Sequence, residues 1–146
     1  YQNACYDIVR EKQCCKWKEM RMSIMNFKDA MESAGVRYDY NKVLQRFMNN
    51  EALLVKFTKK FSEDPSFQQV IKNQADCDYH GMEISAHTLK GVSANLGFEE
   101  LSESSRDIVD LVRKTNFEPE QEKVNMLVEK LRSDYEKVVK GISRVD

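Results

Sequence analysis

The stretch SAHTLKGVSANLG, residues 85–97, decides the fold of this chain. At about 100° per residue, an ideal helix through this stretch and the turn before it collects apolar and small side chains on one side. These side chains are Met82, Ser85, Ala86, Leu89, Val92, Ser93 and Leu96. His87 points to the opposite side. The stretch therefore predicts an amphipathic helix that packs through this apolar stripe and turns His87 toward solvent.

The predicted exposed side combines a histidine with a lysine and a glycine. Gly91 costs a helix about 1 kcal/mol relative to alanine, so its presence needs a reason. Gly91 and Ala94 lie within about 60° of His87 on the helical projection and keep the surface beside the ring low. If the imidazole carried a phosphoryl group, the flexible ammonium group of Lys90 could follow it. Histidine suits the role of nucleophile because a substantial fraction of it is neutral near pH 7.

Hydrophobic residues recur at intervals of three and four along most of the chain after residue 23, which predicts further helices. Between these periodic segments stand residues that commonly begin or end helices. The last two helices are predicted over residues 98–114 and 119–142. The predicted boundary residues, in chain order, are Gly35, Asn49 or Asn50, Asp64 with Pro65, Asp76 or Asp78, Gly97 and Pro119.

The composition also favours helices, since 32% of the residues are charged and only 5 Gly and 2 Pro are present. Short connections favour antiparallel neighbours, so the predicted fold is all-α: an antiparallel up-down four-helix bundle with additional short N-terminal helices. A length of 146 residues fits one domain. We predict this domain over residues 24–146 and an N-terminal extension or linker over residues 1–23, with Met20, Met22 or Met25 as possible true starts.

Net charge and cysteine spacing reduce the number of possible partners and binding sites. The chain has 23 basic and 24 acidic residues and a net charge of −1, so it lacks the overall field that attracts nucleic acid or anionic lipid. It has no apolar run of roughly 20 residues and no signal-peptide pattern, so we expect no membrane partner and a cytoplasmic location. The spacing of the four cysteines favours reduced thiols over a zinc site or a disulfide framework. They are Cys5, Cys14, Cys15 and Cys77.

The run HTLKGVSANLG, residues 87–97, resembles the HxLKGxSxxLG pattern of histidine-containing phosphotransfer (HPt) domains. These domains are the four-helix bundles of multistep two-component phosphorelays. Every fixed letter of the pattern is present at its required offset. The resemblance extends over residues 24–143, because DYNKVLQRFMNNEALLVKFTKKFSEDPSF, residues 39–67, is similar to the helix pair that precedes the motif in bacterial members.

The resemblance implies a role for each residue of the exposed strip. His87 would be phosphorylated by the phospho-aspartate of one receiver domain and would pass the group to an aspartate of another. Lys90 would stabilise the charge of the phosphoryl group, and Gly91 would leave room for the receiver. Ile84, Ala94 and Glu83 lie on the same side of the helix and are predicted to contact the docked receiver.

The same resemblance implies that the protein is a phosphocarrier rather than an enzyme. In this family the Mg²⁺ ion belongs to the receiver, so we expect no cofactor or metal of the chain's own. The sequence contains neither a Walker A pattern nor a glycine-rich ATP loop. We expect receiver domains of response regulators and hybrid histidine kinases as partners, and a monomeric chain.

Several alternatives stay open at this point. The chain could be a helical module that binds receiver or kinase domains without relaying phosphate, or the HPt fragment of a larger hybrid or chemotaxis-type kinase. His80 and His87, with Glu83 between them, could suggest a metal site, but the histidines lie about 10 Å apart along the axis, too far to share one ion without another helix. Phe27 and Met31 of the first helix could flank the site.

Overall fold

The computed structural model describes residues 26–145, which form seven helices and no strand. The all-α prediction is confirmed. The predicted extension, with Cys5, Cys14 and Cys15, lies outside the described residues, and the predicted division of the chain at residue 23 stays a prediction. In chain order the helices are α1 (Phe27–Ser33), α2 (Tyr40–Arg46), α3 (Glu51–Phe61), α4 (Ser66–Ala75), α5 (Tyr79–Leu96), α6 (Glu99–Lys114) and α7 (Gln121–Ser143).

The helix that carries His87, α5, packs against α4 and α6 and touches α3. The last helix, α7, packs against α6 and α1 and also contacts α4, so that α4, α5, α6 and α7 form one closed set of contacts. Hydrogen bonds pair Lys90 with Ser102 and Glu83 with Arg113, which shows that α5 and α6 run in opposite directions. The complete antiparallel up-down order of the bundle stays a prediction.

Two of the predicted boundary residues hold the ends of α5. Asp78, rather than Asp76, is the N-cap, and its carboxylate accepts a 2.9 Å hydrogen bond from the amide of Gly81. Gly97 ends the helix with a φ of 84°, a left-handed conformation that glycine adopts without steric cost. The sequence therefore places both ends of the His87 helix correctly, through local backbone chemistry.

Asp64 and Pro65 stand at the start of α4 as predicted, but Pro65 rather than Asp64 is the N-cap and the helix begins at Ser66; the start of α7 is shifted as well. The Asp64 carboxylate accepts a 2.9 Å hydrogen bond from the amide of Ser66, with Pro65 between them in a helical conformation. Pro119 is buried in the connection, and α7 begins two residues later, at Gln121. Proline fits either position because it has no amide hydrogen to satisfy.

The apolar stripe of α5 enters the core as predicted. Met82, Ala86 and Leu89 have no exposed surface, while Val92 is half-buried. Burying one such large apolar side chain contributes roughly 1.5–3 kcal/mol. Phe27 and Met31 are also fully buried, at 1% and 0% exposure, so they belong to the core and give no exposed surface to the site. The hypothesis that they flank the site is therefore wrong.

Candidate functional site

The imidazole of His87 lies on the solvent side of α5, near the middle of this 18-residue helix. Ile84, Gly91 and Ala94 are exposed on the same side, and Ile84 keeps 64% of its surface in contact with solvent. We call these four residues the His87 strip. The outward orientation predicted from the helical projection is confirmed, because burial of the opposite stripe fixes the rotation of α5 about its own axis.

Gly91 is surrounded by open space. A Cβ atom added at this position would meet no heavy atom within 4 Å outside its own helix backbone and chain neighbours. At Gly141 of α7, by contrast, an added Cβ would lie 2.8 Å from the sulfur of Met31. Among residues 26–145, a side chain at position 141 would therefore require the Met31 side chain to shift, whereas a Cβ at position 91 would displace nothing. The effect of Gly91 that is left to consider is the absence of a side chain beside His87.

Lys90 is half-buried on the α6 side of the His87 strip. Its carbonyl oxygen accepts a 3.1 Å hydrogen bond from the Ser102 hydroxyl. This hydrogen bond holds α6 against α5 one turn after His87. Within the described part of the chain, no carboxylate lies within ion-pair distance of its ammonium group. The ammonium of Lys90 is thus available to an anion that arrives on the neighbouring His87.

The carboxylate of Glu83, one of the predicted docking residues, pairs with Arg113 of α6. One carboxylate oxygen accepts hydrogen bonds from Arg113 Nε at 2.9 Å and Arg113 Nη2 at 2.5 Å. The Glu83 side chain is 15% exposed and the Arg113 side chain 56% exposed. A docking partner would therefore meet the guanidinium rather than the carboxylate. The sequence could not reveal this pair, because its members are 30 residues apart on two helices.

His80, two turns before His87, stacks on Phe117 with the ring centroids 4.0 Å apart and the planes 16° from parallel. Phe117 belongs to the connection between α6 and α7, and it has a positive φ of 64°. From the sequence, His80 is considered only as a possible metal ligand, and nothing predicts a contact with Phe117. Its contact depends on how the loop after α6 folds back, which periodicity does not predict.

An apolar groove of about 580 Å³ lies next to the His87 strip, between α3 and the C-terminal half of α5. Phe57 is 46% exposed in its wall, and the rings of Phe47 and Phe57 lie 5.9 Å apart. Asn95, one helical turn beyond Gly91, connects the groove with the strip. The sequence does not predict this groove, because hydrophobic periodicity does not say which apolar residues of α2 and α3 remain uncovered. We call this feature the Phe57 groove.

Arg46 lies at the C-terminal end of the His87 strip. Its Nη1 atom donates a 2.8 Å hydrogen bond to the carbonyl oxygen of Ala94, in the last turn of α5. The interaction satisfies one of the carbonyl groups that a helix C-terminus leaves without a partner. It also attaches α2 to the helix that carries His87.

Together these features define a class of protein: an all-helical domain whose central helix presents a histidine, His87, on a smooth surface beside a lysine without an ion-pair partner among the described residues. The family model of the Hpt domain matches residues 50–141, more than half of the chain, and the protein belongs to this family. Hpt domains are phosphocarriers, not kinases; they act as phosphotransfer modules in two-component signalling and interact with receiver domains.

The match begins at Asn50, which caps α3, and ends at Gly141 within α7. It therefore includes the His87 strip and all of its neighbours on α5 and α6. Neither a comparison with curated proteins nor one with solved structures finds a significant match to this chain. In residues 26–145, no helix has both the length and the apolar character needed to cross a membrane.

Proposed function

We propose that this protein is a phosphorelay intermediate that carries a phosphoryl group on His87 between two receiver domains. One observation carries the proposal: His87 is exposed on the family's motif helix, beside the open surface at Gly91 and the unpaired ammonium of Lys90. A partner can reach the ring closely on this surface. In the proposed role the protein acts as a monomer in the cytoplasm, where its receivers would be located.

The transfer to this protein is a displacement at phosphorus. An unprotonated ring nitrogen of His87 attacks the phosphoryl group of a receiver phospho-aspartate, so that an N–P bond forms while the P–O bond to the aspartate breaks. The aspartate leaves as a carboxylate, and the other ring nitrogen keeps its proton. Transfer to the second receiver is the same reaction in reverse, with a new aspartate carboxylate as the nucleophile.

Lys90 would stabilise the charge that arrives on His87. Its ammonium group can donate charge-assisted hydrogen bonds to the non-bridging phosphoryl oxygens. Mg²⁺ would be supplied by the receiver in this proposal. The main contribution of the helical domain is then to position one nucleophile and one cation against a site whose other groups lie on the partner, since phosphoryl transfer depends mostly on positioning and charge stabilisation.

The docked receiver would cover the His87 strip and the Phe57 groove. Ile84, Gly91 and Ala94 offer a low, mostly apolar surface around the histidine, and the groove extends this surface toward α3. Exposed apolar surface that is continuous with a reactive group is typical of a protein interaction site. Because one oxygen of the Glu83 carboxylate accepts both hydrogen bonds from Arg113, Glu83 has a supporting role at the edge of this surface.

The proposal is tested by incubating the protein with a radiolabelled phospho-receiver and measuring acid-labile, base-stable label. We expect label on the wild type and none on His87→Gln. His80→Gln is the matched control, because the chain contains only 2 histidines and His80 is also exposed on α5. Equal labelling of the His87→Gln variant, or no label on the wild type, would overturn the proposal. Binding of the receiver without transfer would instead support the non-relaying module.

A further inference from the structure

A row of side chains on α6 runs along the edge of the His87 strip. Ser102, Arg106 and Arg113 fall within about 40° of one another on the helical projection of α6. Both ends of the row contact α5 on the side of His87: Ser102 donates to the Lys90 carbonyl, and Arg113 donates to the Glu83 carboxylate. Arg106 lies between these two contacts and is exposed.

The level of Arg106 along α5 follows from the opposite directions of the two helices. Arg106 is four residues after Ser102, which corresponds to about 6 Å along the axis from the level of Lys90 toward Glu83. His87 is three residues before Lys90, or about 4.5 Å in the same direction. Arg106 and His87 therefore lie at nearly the same level, on adjacent helices.

Arg106 also differs from its neighbours in charge pairing. Arg113 is bound to Glu83, and the nearest acidic residue in sequence, Asp107, pairs with Lys130 on α7 at 3.6 Å. In the part of the chain that the structure describes, no carboxylate lies within ion-pair distance of Arg106. An exposed and unpaired guanidinium at the level of His87 has its full hydrogen-bonding capacity available to another molecule.

We propose that Arg106 is a positioning residue for the receiver and that it binds a carboxylate on the receiver surface near the phosphorylated aspartate. This inference rests on the proposed relay function. The planar guanidinium suits a carboxylate, which it can bind through two parallel hydrogen bonds. Lys90 and Arg106 then have different tasks: the lysine follows the phosphoryl group, and the arginine orients the protein that brings it.

Arg106→Gln tests the proposal, with Arg132→Gln as the matched control. Arg132 is on α7, away from the His87 strip, and makes only a 3.6 Å surface ion pair with Glu129. Phosphotransfer rates are measured against receiver concentration at low and at moderate salt. For Arg106→Gln we expect the half-saturating receiver concentration to rise about fivefold at low salt, with little change in the maximal rate. The difference should shrink at moderate salt because screening weakens the ion pair.

Arg106→Lys should recover part of the lost affinity, since it retains the charge but not the planar fork. The rate of spontaneous hydrolysis of the phosphohistidine should be the same in wild type and Arg106→Gln, because the arginine acts on the receiver. Equal half-saturating concentrations for the Arg106→Gln and Arg132→Gln variants would overturn this inference and leave the relay function intact. If the wild type accepts no phosphoryl group, both this inference and the proposed relay function are overturned.

Discussion

The hydroxyl of Tyr38 donates a 2.8 Å hydrogen bond to the carbonyl oxygen of Leu96, the last residue of the helix that carries His87. The Tyr38 ring packs between Phe27 and Phe98, with centroid distances of 5.3 Å and 5.8 Å. The segment between α1 and α2 thus holds the C-terminal end of α5 in place. Tyr38 lies before residues 50–141, which the Hpt family model matches, so residues outside the match also support the helix that carries His87.

Stability should fall at alkaline pH through Tyr38. Burial, and then the charge of nearby Tyr40, raise the pKa of the Tyr38 phenol above its ordinary value of 10.0. The folded state thus keeps a proton that the unfolded state loses, so this stabilisation is complete below about pH 10 and is lost as the pH rises toward the folded-state pKa. Urea unfolding at pH 8 and pH 11 should show a larger loss for wild type than for Tyr38→Phe.

Tyr38→Phe should also cost about 1 kcal/mol at pH 8, because the Leu96 carbonyl loses its donor. The comparison between the two proteins isolates the contribution of Tyr38, because every other residue is common to both. Parallel losses of stability in wild type and variant between the two pH values would contradict the assignment to Tyr38.

Gly91→Ala should stabilise the protein by about 1 kcal/mol, because alanine is the better helix former and its methyl group enters open space. Thermal or urea unfolding measures the change. Gly141→Ala is the matched control in another helix: its methyl group would lie 2.8 Å from the sulfur of the buried Met31 side chain, which would have to shift, so this variant should gain less stability than Gly91→Ala. Destabilisation by Gly91→Ala would show that this glycine has a structural role within the chain.

Gly91→Glu should fold normally and transfer phosphate slowly. Its side chain would stand one turn from His87 on the exposed face, where its bulk and negative charge oppose an approaching receiver. We expect a reduction of tenfold or more, roughly 1.4 kcal/mol, in the second-order rate of transfer from a phospho-receiver. Far-ultraviolet circular dichroism checks the fold, and an unchanged transfer rate would contradict the idea that open surface at Gly91 serves access.

Phe57→Ser should weaken receiver binding, because it removes apolar surface from the Phe57 groove. The effect should be about fivefold in the half-saturating receiver concentration, equivalent to about 1 kcal/mol. Met126→Ser on α7 is the control, since Met126 is 72% exposed and lies on a helix that contributes nothing to the groove. Equal binding of the two variants would place the docked receiver elsewhere.

Thr58→Val should stabilise the protein by about 1 kcal/mol. Thr58 is 1% exposed on α3, and its hydroxyl has no hydrogen-bond partner among the described residues, so valine removes a buried polar group and keeps the shape. Thr115→Val is the control, because the Thr115 hydroxyl donates a 2.8 Å hydrogen bond to the Leu111 carbonyl. Urea unfolding should show a gain for the first variant and no gain for the second.

The features that the sequence predicted correctly are local ones. The outward position of His87 follows from burial of the stripe on its own helix, and Gly97 ends that helix through its own backbone conformation. Each depends on residues within a few turns of one another. Hydrophobic periodicity and capping chemistry report such relationships directly.

Only the tertiary structure decided which side chains from other helices surround the strip. The Glu83–Arg113 pair, the position of Arg106 and the exposure of Phe57 each depend on the rotation and level of one helix relative to another. Phe27 shows the same limit, since hydrophobic periodicity predicts a helix in its region but not the core that its ring enters. The sequence by itself determined the chemistry that α5 presents, because one helix has a fixed geometry. The packing of distant helices determined what a receiver would meet around it.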